Sequence, residues 1–262
     1  MSVIRRATHS YCSHLPTLYD HSARDKSQLL FPNYPYNYKG DSKDWKGFCN
    51  NGRMQSPIDL THPLEVPSHS YKHHSLQFTY NKCIASGYFN PNTFIVIKNF
   101  GTMALLNRLR HPVKTFEALQ FHFHAPSEHT IDGRHYAAEM HIVHHCTRNP
   151  TDLAVAAVLF DEGPASPFLD TVINPTGKVD LMGFVEGKSV VEDFYYYFGS
   201  LTTPMCDEIV RWFVLKQVMT LSQEQLHFFQ SRWAHNPDFA GGRGNNRPIN
   251  QRNKRNVLLF QS

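Results

Sequence analysis

The sequence predicts a mainly β (α+β) fold, built as one domain with short peripheral helices and long ordered loops. Runs rich in β-branched and aromatic residues recur from Ser75 onward with turn-forming residues between them, the pattern of successive strands. Helical periodicity is weak and confined to two short stretches. The 262 residues suffice for one substantial core, and all-β folds of that length commonly form a single unit.

Residues 1–30 read as a loosely ordered extension and residues 31–262 as the domain. Tyr34 to Gly52, rich in Tyr, Asn, Lys and Gly, reads as loop. Strands are expected over Ser75–Tyr80, Thr93–Lys98, Leu119–His124, Ala137–His144, Leu153–Phe160 and Glu208–Leu215. One short helix is expected over Phe168–Ile173, with Pro167 near its start. A better one runs from Ser222 to Arg232, where Ser222 can cap and Leu226 and Phe229 stand three apart. Gly241 to Arg255, rich in Gly, Asn and Arg, has no pattern and reads as irregular.

Composition excludes several classes. A net charge of +4 with no long basic run is too mild to argue for nucleic acid. No run of eighteen apolar residues is present, so no membrane span is expected. The first twenty residues lack the apolar middle of a secretory signal. Residues 1–19 carry Arg5 and Arg6, hydroxyls and no acid, features shared by mitochondrial import segments and by plain polar tails. The five cysteines, Cys12, Cys49, Cys83, Cys146 and Cys206, form no C-x-x-C pair, and an odd count leaves at least one without an internal partner.

Seventeen histidines justify a search for a metal site. In Gln120-Phe-His-Phe-His124 the histidines are two apart, so on a strand His122 and His124 share a face with Gln120 while Phe121 and Phe123 turn to the opposite one. The next run puts Glu139, His141 and Val143 on one face. The stretch between them contains Pro126, Ser127, Asp132 and Gly133 and can reverse the chain, so antiparallel pairing brings His141 across from the first pair. Three neutral imidazoles without a thiolate favour zinc with a fourth position open to water. Gln120 and Glu139, each two residues before a histidine on the same face, are candidates to fix the ring tautomers.

Gln120-Phe-His-Phe-His-Ala-Pro-Ser-Glu-His-Thr130 and Ala137-Ala-Glu-Met-His-Ile-Val-His144 resemble the signature of the alpha carbonic anhydrases. Gln55-Ser-Pro-Ile-Asp59, Ser200-Leu-Thr-Thr-Pro204 and Asn245-Asn-Arg-Pro248 resemble further family motifs in family order, spanning roughly residues 36 to 250. The resemblance implies a twisted, largely antiparallel central sheet with zinc at the base of a conical cleft, in a carbonic anhydrase domain over residues 31–262. It implies reversible hydration of carbon dioxide to bicarbonate and a proton by a zinc-bound hydroxide, with His122, His124 and His141 as ligands. Thr202 matches the family's gatekeeper, accepting a hydrogen bond from the hydroxide and donating one to Glu128, which as a carboxylate only accepts. Thr203 matches a second hydroxyl of the site; Val143, Val155, Leu201 and Trp212 match the apolar substrate pocket, and Tyr38 a tyrosine of the water network. Cys49 and Cys206 resemble the disulfide pair of exported members, which favours an oxidising compartment, secreted or a lumen, with the mitochondrion as alternative.

The chain departs from the pattern in two places. Many fast members carry a proton-shuttle histidine in an Asn-x-Gly-His context; the matching stretch here is Asn99-Phe-Gly-Thr102, so Thr102 stands in its place. Threonine cannot relay a proton near neutral pH, which implies slower, buffer-dependent turnover. His73, His74 and His111 are the candidate substitutes. Ala125-Pro-Ser127 joins His124 to Glu128 by a short loop, as in bacterial, plant or protist members. Two rival functions remain: a carbonic-anhydrase-like subunit with an assembly or binding role, its protein partners met through the N-terminal extension or the basic C-terminal tail, and a zinc hydrolase of esters. Retention of all three histidines disfavours the first.

Overall fold

The computed structural model describes residues 35–174 and 178–262. The extension expected over residues 1–30 lies outside them. In chain order the strands are β1 (Leu64–Pro67), β2 (His74–Tyr80), β3 (Cys83–Ile84), β4 (Tyr88–Phe89), β5 (Phe94–Ile97), β6 (Gly101–Asn107), β7 (Pro112–His124), β8 (Ala138–Cys146), β9 (Leu153–Glu162), β10 (Lys178–Val179), β11 (Val190–Val191), β12 (Phe194–Gly199), β13 (Val210–Leu215), β14 (Met219–Leu221) and β15 (Leu258–Gln261). The α-helices among the described residues are α1 (Pro167–Ile173) and α2 (Gln223–Gln230).

One large sheet runs β1-β15-β12-β13-β9-β8-β7-β6-β2-β11, with β5 added to β7, β4 to β5 and β14 to β9. Its pairings are antiparallel except β1–β15, β9–β13 and β9–β14, so the sheet is mixed rather than uniformly antiparallel. Every residue of β8 is buried, as is β9 as far as Phe160. Central strands covered on both faces read as continuous apolar runs, and Leu153–Phe160 is one.

The two faces carry separate cores. Phe116, Ala118, Phe121, Phe123, Met140, Ile142 and Phe213 pack on one side. Val143, Val155, Tyr197, Trp212 and Val214 pack on the other, with Leu119 and Leu201 against them. Strict alternation along β7 would put Phe116 and Ala118 on the face of Gln120 and His122. A bulge at Leu119 resolves this: Ala118 pairs with His144 and Gln120 with Val143, leaving Leu119 unpaired. The extra residue reverses the strand's parity. Both halves of β7 thereby bury their aromatic rings in one core, each ring worth about 1.5–3 kcal/mol.

Both expected helices form. Ser166 caps α1, which starts one residue earlier than expected because Pro167 suits the first helical turn. Ser222 and Gln225 close a capping box on α2, which ends at Gln230 rather than at Arg232. The Gln225 amide also donates to the Ser166 carbonyl at 2.9 Å, tying the two helices together.

Cys49 and Cys206 are joined by a disulfide. With 157 residues between them, the chain-entropy model gives about 5 kcal/mol of stabilisation. No helix among the described residues is long and apolar enough to cross a membrane.

His144, on the face of β8 turned from Val143, is fully buried and its Nε2 lies 2.6 Å from the Tyr80 hydroxyl. Burial lowers its pKa to about 4. The unfolded chain, with an ordinary histidine pKa of about 6.5, takes up this proton first as pH falls. Stability held above pH 6.5 is therefore lost between 6.5 and 4, by on the order of 3 kcal/mol from this residue. Urea unfolding followed from pH 7 to pH 4.5 is expected to show a shallower loss in His144→Gln than in the parent chain.

Candidate metal centre

Strand pairing sets the histidine cluster. Antiparallel register between β7 and β8 puts His122 directly opposite His141 and His124 opposite Glu139. The ring centroids of His122, His124 and His141 lie 4.7 to 5.2 Å apart, and one ligand nitrogen from each falls within 4.8 Å of the others. His124 and His141 are buried; His122 is partly exposed.

Each ring is oriented through its second nitrogen. His122 Nδ1 lies 2.9 Å from Gln120 Oε1, which can only accept, so Nδ1 carries the proton and Nε2 keeps a lone pair. His124 Nδ1 is 2.9 Å from the Asn245 carbonyl, while its buried Nε2 has no protein partner. His141 Nε2 is 2.8 Å from Glu139 Oε1, leaving Nδ1. Burial lowers the pKa of all three, that of His122 well below the ordinary value with help from the neighbouring rings, and that of His124 to about 4. All three are neutral at pH 7, as metal ligation requires. Neutral imidazoles with fixed tautomers and an orphaned buried nitrogen form a donor set that suits zinc.

The Asn245 carbonyl was not legible as a partner, because a backbone oxygen leaves no mark in the sequence. What permits it is Gly244: a Cβ there would stand 2.2 Å from the Ala125 carbonyl oxygen. Without that close approach the Asn245 amide could not also accept from the Ala125 N–H at 2.9 Å and donate to the Phe123 and Asn92 carbonyls at 3.0 Å.

Glu139 does more than hold His141. Its Oε1 also lies 2.6 Å from His129 Nδ1, and its Oε2 accepts from the Glu128 and His129 N–H groups at 2.8 Å. His129 Nε2 continues to the Tyr197 hydroxyl at 2.7 Å, which donates to Ser56 Oγ at 2.9 Å. Burial alone would raise the Glu139 carboxyl, but the facing His129 and His141, by charge and by hydrogen bond, hold it well below the usual carboxylate range. The sequence reading missed His129, Tyr197 and Ser56; the available signal was that His129 and Ser56 lie inside two of the ordered motifs.

Glu128 is fully buried, and burial raises its carboxyl to about 7 against the pull of His141, the Thr202 hydroxyl and the Arg247 N–H. That N–H donates to Glu128 Oε1 at 2.8 Å; Oε2 has no partner at full hydrogen-bonding geometry, and the Thr202 hydroxyl faces the carboxyl more loosely. The Arg247 guanidinium, also buried, donates to Gln55 Oε1 and to the Ser56 and Cys49 carbonyls at 2.7 to 2.9 Å. Ser56 and Ser200 exchange backbone-to-hydroxyl bonds at 2.9 and 3.0 Å. The separated motifs thus meet around one cluster.

Val143, Val155, Leu201 and Trp212 join one apolar cluster on the histidine face. Trp212 lies 4.8 Å from the His141 ring and donates its N–H to the Ser200 carbonyl at 3.0 Å. The Thr203 carbonyl accepts from the Cys206 N–H at 2.9 Å, so the disulfide anchors the loop bearing Thr202 and Thr203. Tyr38 is buried among Tyr36, Trp45 and Phe239 and feels the Glu128 charge.

Thr102 pairs with Glu117, ahead of the bulge at Leu119, and so lies on the same face of the sheet as His122, whose own partner on that side is Ile95. β5 and β6 share one edge of β7 in succession, and Asn99, whose side chain accepts from the Gly101 N–H, sits at the break between them. His73 and His74 lie against Phe260, and His111 is exposed in the turn before β7, so none of the three candidate substitutes reaches the site.

A family model for eukaryotic-type carbonic anhydrase matches residues 40–261. The chain is 34% identical over 231 residues to carbonic anhydrase Nec1 of Nesocodon mauritianus, covering 82% of this chain and 78% of that one. It is 32% identical over 237 residues to a carbonic anhydrase of Pectobacterium carotovorum, covering 85% and 89%. The solved alpha-carbonic anhydrase of Photobacterium profundum superposes with a TM-score of 0.66 at 29% identity, covering 86% of this chain and 100% of the other. The chain belongs to the alpha, or eukaryotic-type, carbonic anhydrases, lyases that hydrate carbon dioxide.

Proposed function

We propose that His122, His124 and His141 hold a zinc ion at which this chain hydrates carbon dioxide reversibly to bicarbonate and a proton. The supporting observation is that each imidazole is fixed through one nitrogen, by Gln120, Asn245 or Glu139, with a neutral donor to spare. Zinc, when bound, supplies a Lewis acid that makes water nucleophilic at a pKa of about 7, and a positive charge that favours the ionised form of Glu128.

The residues around the cluster do the positioning. Ionised Glu128 only accepts, so the Thr202 hydroxyl donates to it and keeps its own lone pairs for the reacting water. That fixes where the water's nucleophilic pair points, an orientation effect. Val143, Val155, Leu201 and Trp212 give an apolar wall suited to carbon dioxide, and Thr203 offers a second hydroxyl. The Cys49–Cys206 bridge keeps the loop of Thr202 in place and suits an oxidising compartment.

Proton export is the slow half of the proposed cycle. Neither Tyr88–Ile97 nor Gly101–Asn107, the segments lying beside β7 on that edge, contains a histidine, and Thr102 cannot substitute. Buffer must then carry the proton away.

Three outcomes are expected. The purified chain should carry one zinc and hydrate carbon dioxide in a stopped-flow assay, with His141→Ala losing both; Thr202→Ala should keep zinc and lose about a hundredfold in kcat/KM. A zinc-loaded chain inert toward carbon dioxide would sink the proposal. At constant ionic strength, turnover should climb with buffer concentration, and rates indifferent to buffer would refute the export step. Glu139→Gln turns an amide toward the Glu139 donors, so a chelator competition should show zinc bound about 10- to 100-fold more weakly.

A further inference from the structure

Among the described residues nine large apolar side chains are exposed. Single ones scattered over a surface are ordinary, whereas a cluster marks a surface of contact. Four of the nine gather at one end of the sheet: Leu64, Tyr71, Leu109 and Val113. The pairing of β2 with β6 brings this about, because His74 at the start of β2 stands opposite Asn107 at the end of β6. Tyr71 comes three residues before that pair and Leu109 two after it. Val113 follows at the start of β7, and Leu64, at the start of β1, lines one cavity together with Val113, Lys72 and His74.

Local structure holds the tip in place. The Asn107 side chain accepts from the Leu109 and His111 N–H groups at 3.0 Å, and Arg110 takes a left-handed backbone with φ of 61°. The turn so formed leaves Leu109 73% exposed, and Tyr71 is 81% exposed. Leu64 and Val113 are each about half exposed. Cations are interleaved with them. Lys72 Nζ lies 5.7 Å from the centre of the Tyr71 ring. Arg108 and Arg110 flank Leu109 in the chain and are exposed. Residues 62–74 and 107–114 contain a single acid, Glu65. Arg110 pairs with Glu192, from the segment before β12, and Lys114 is buried with Asp152. With those two pairs set aside, Lys72 and Arg108 still outnumber Glu65.

Exposed aromatic and aliphatic side chains with long cations between them suit a boundary where hydrocarbon lies beneath charged phosphate. We infer that this end of the sheet docks on the surface of a phospholipid bilayer bearing anionic headgroups. Tyr71 and Leu109 enter the boundary between headgroups and acyl chains, and Lys72 and Arg108 meet phosphate oxygens. The patch shares no residue with the metal centre, so docking is independent of the chemistry proposed there.

Co-sedimentation of the full chain with vesicles tests it, using phosphatidylcholine alone and a mixture of phosphatidylcholine with phosphatidylserine. The mixed vesicles should bind about fivefold more tightly, the increment for one surplus cation near an anionic surface, and added salt should erode that preference. Leu109→Ser and Tyr71→Ser alter exposed side chains and leave the core intact. Each should weaken binding to mixed vesicles about tenfold, the loss of one buried apolar side chain, with carbon dioxide hydration at the parent level. Arg108→Gln should remove most of the preference for phosphatidylserine. Ile84 is as exposed as Leu109 but lies beyond the far end of β2, so Ile84→Ser should bind like the parent. The inference is overturned by a chain that ignores mixed vesicles, by equal binding to both compositions, or by a Leu109→Ser variant that binds as the parent does. Equal losses in Ile84→Ser and Leu109→Ser would show general stickiness, and pelleting without vesicles would show self-association; either result also overturns it.

Discussion

Glu139 is a buried carboxylate with four donors converging on it, two imidazoles and two backbone N–H groups. An isolated charge at such depth would cost several kcal/mol. Here the donors offset that cost and hold the group ionised. Because the same oxygen faces His141 and His129, the position of a metal-cluster histidine is set by the turn following β7 as well as by its own strand. The apolar surroundings keep water from competing for any of these bonds, which is why the geometry is stiff.

That stiffness needs a strand that can serve two masters. The histidine half of β7 must show polar rings to the cleft and phenyl rings to the core behind. Its first half must show Phe116 to the same rear core, and Phe121 stands an odd number of positions, five, after Phe116. One unpaired residue, Leu119, absorbs the mismatch. A one-residue deletion there would exchange the faces of one half for the other, and either the histidines or the phenylalanines would be misplaced.

Much of the site could be read from the sequence because its logic is short-range. Gln120 and His122, or Glu139 and His141, are two residues apart on one strand, and period-two geometry suffices to pair them. The β-dominated architecture, both helices and the Ser222 cap followed from local signals of the same kind. What escaped was non-local or backbone-borne. The Asn245 carbonyl that orients His124 comes from over a hundred residues away. The bulge has no signature beyond an odd spacing. β6 and β12 went unrecognised, one opening with glycine and the other a run of tyrosines flanked by phenylalanine. Adjacent strands on one edge of β7 are hard to tell apart until their partners are known.

Arg247 and its neighbour Asn245 are met late along the chain, yet they finish parts laid down near the beginning and middle. During synthesis the three imidazoles emerge long before the carbonyl that turns His124 and the amide that steadies Glu128. A growing polypeptide therefore holds all three imidazoles while the group that fixes one of the rings is still unmade, and the cluster takes its final shape only when the last residues arrive.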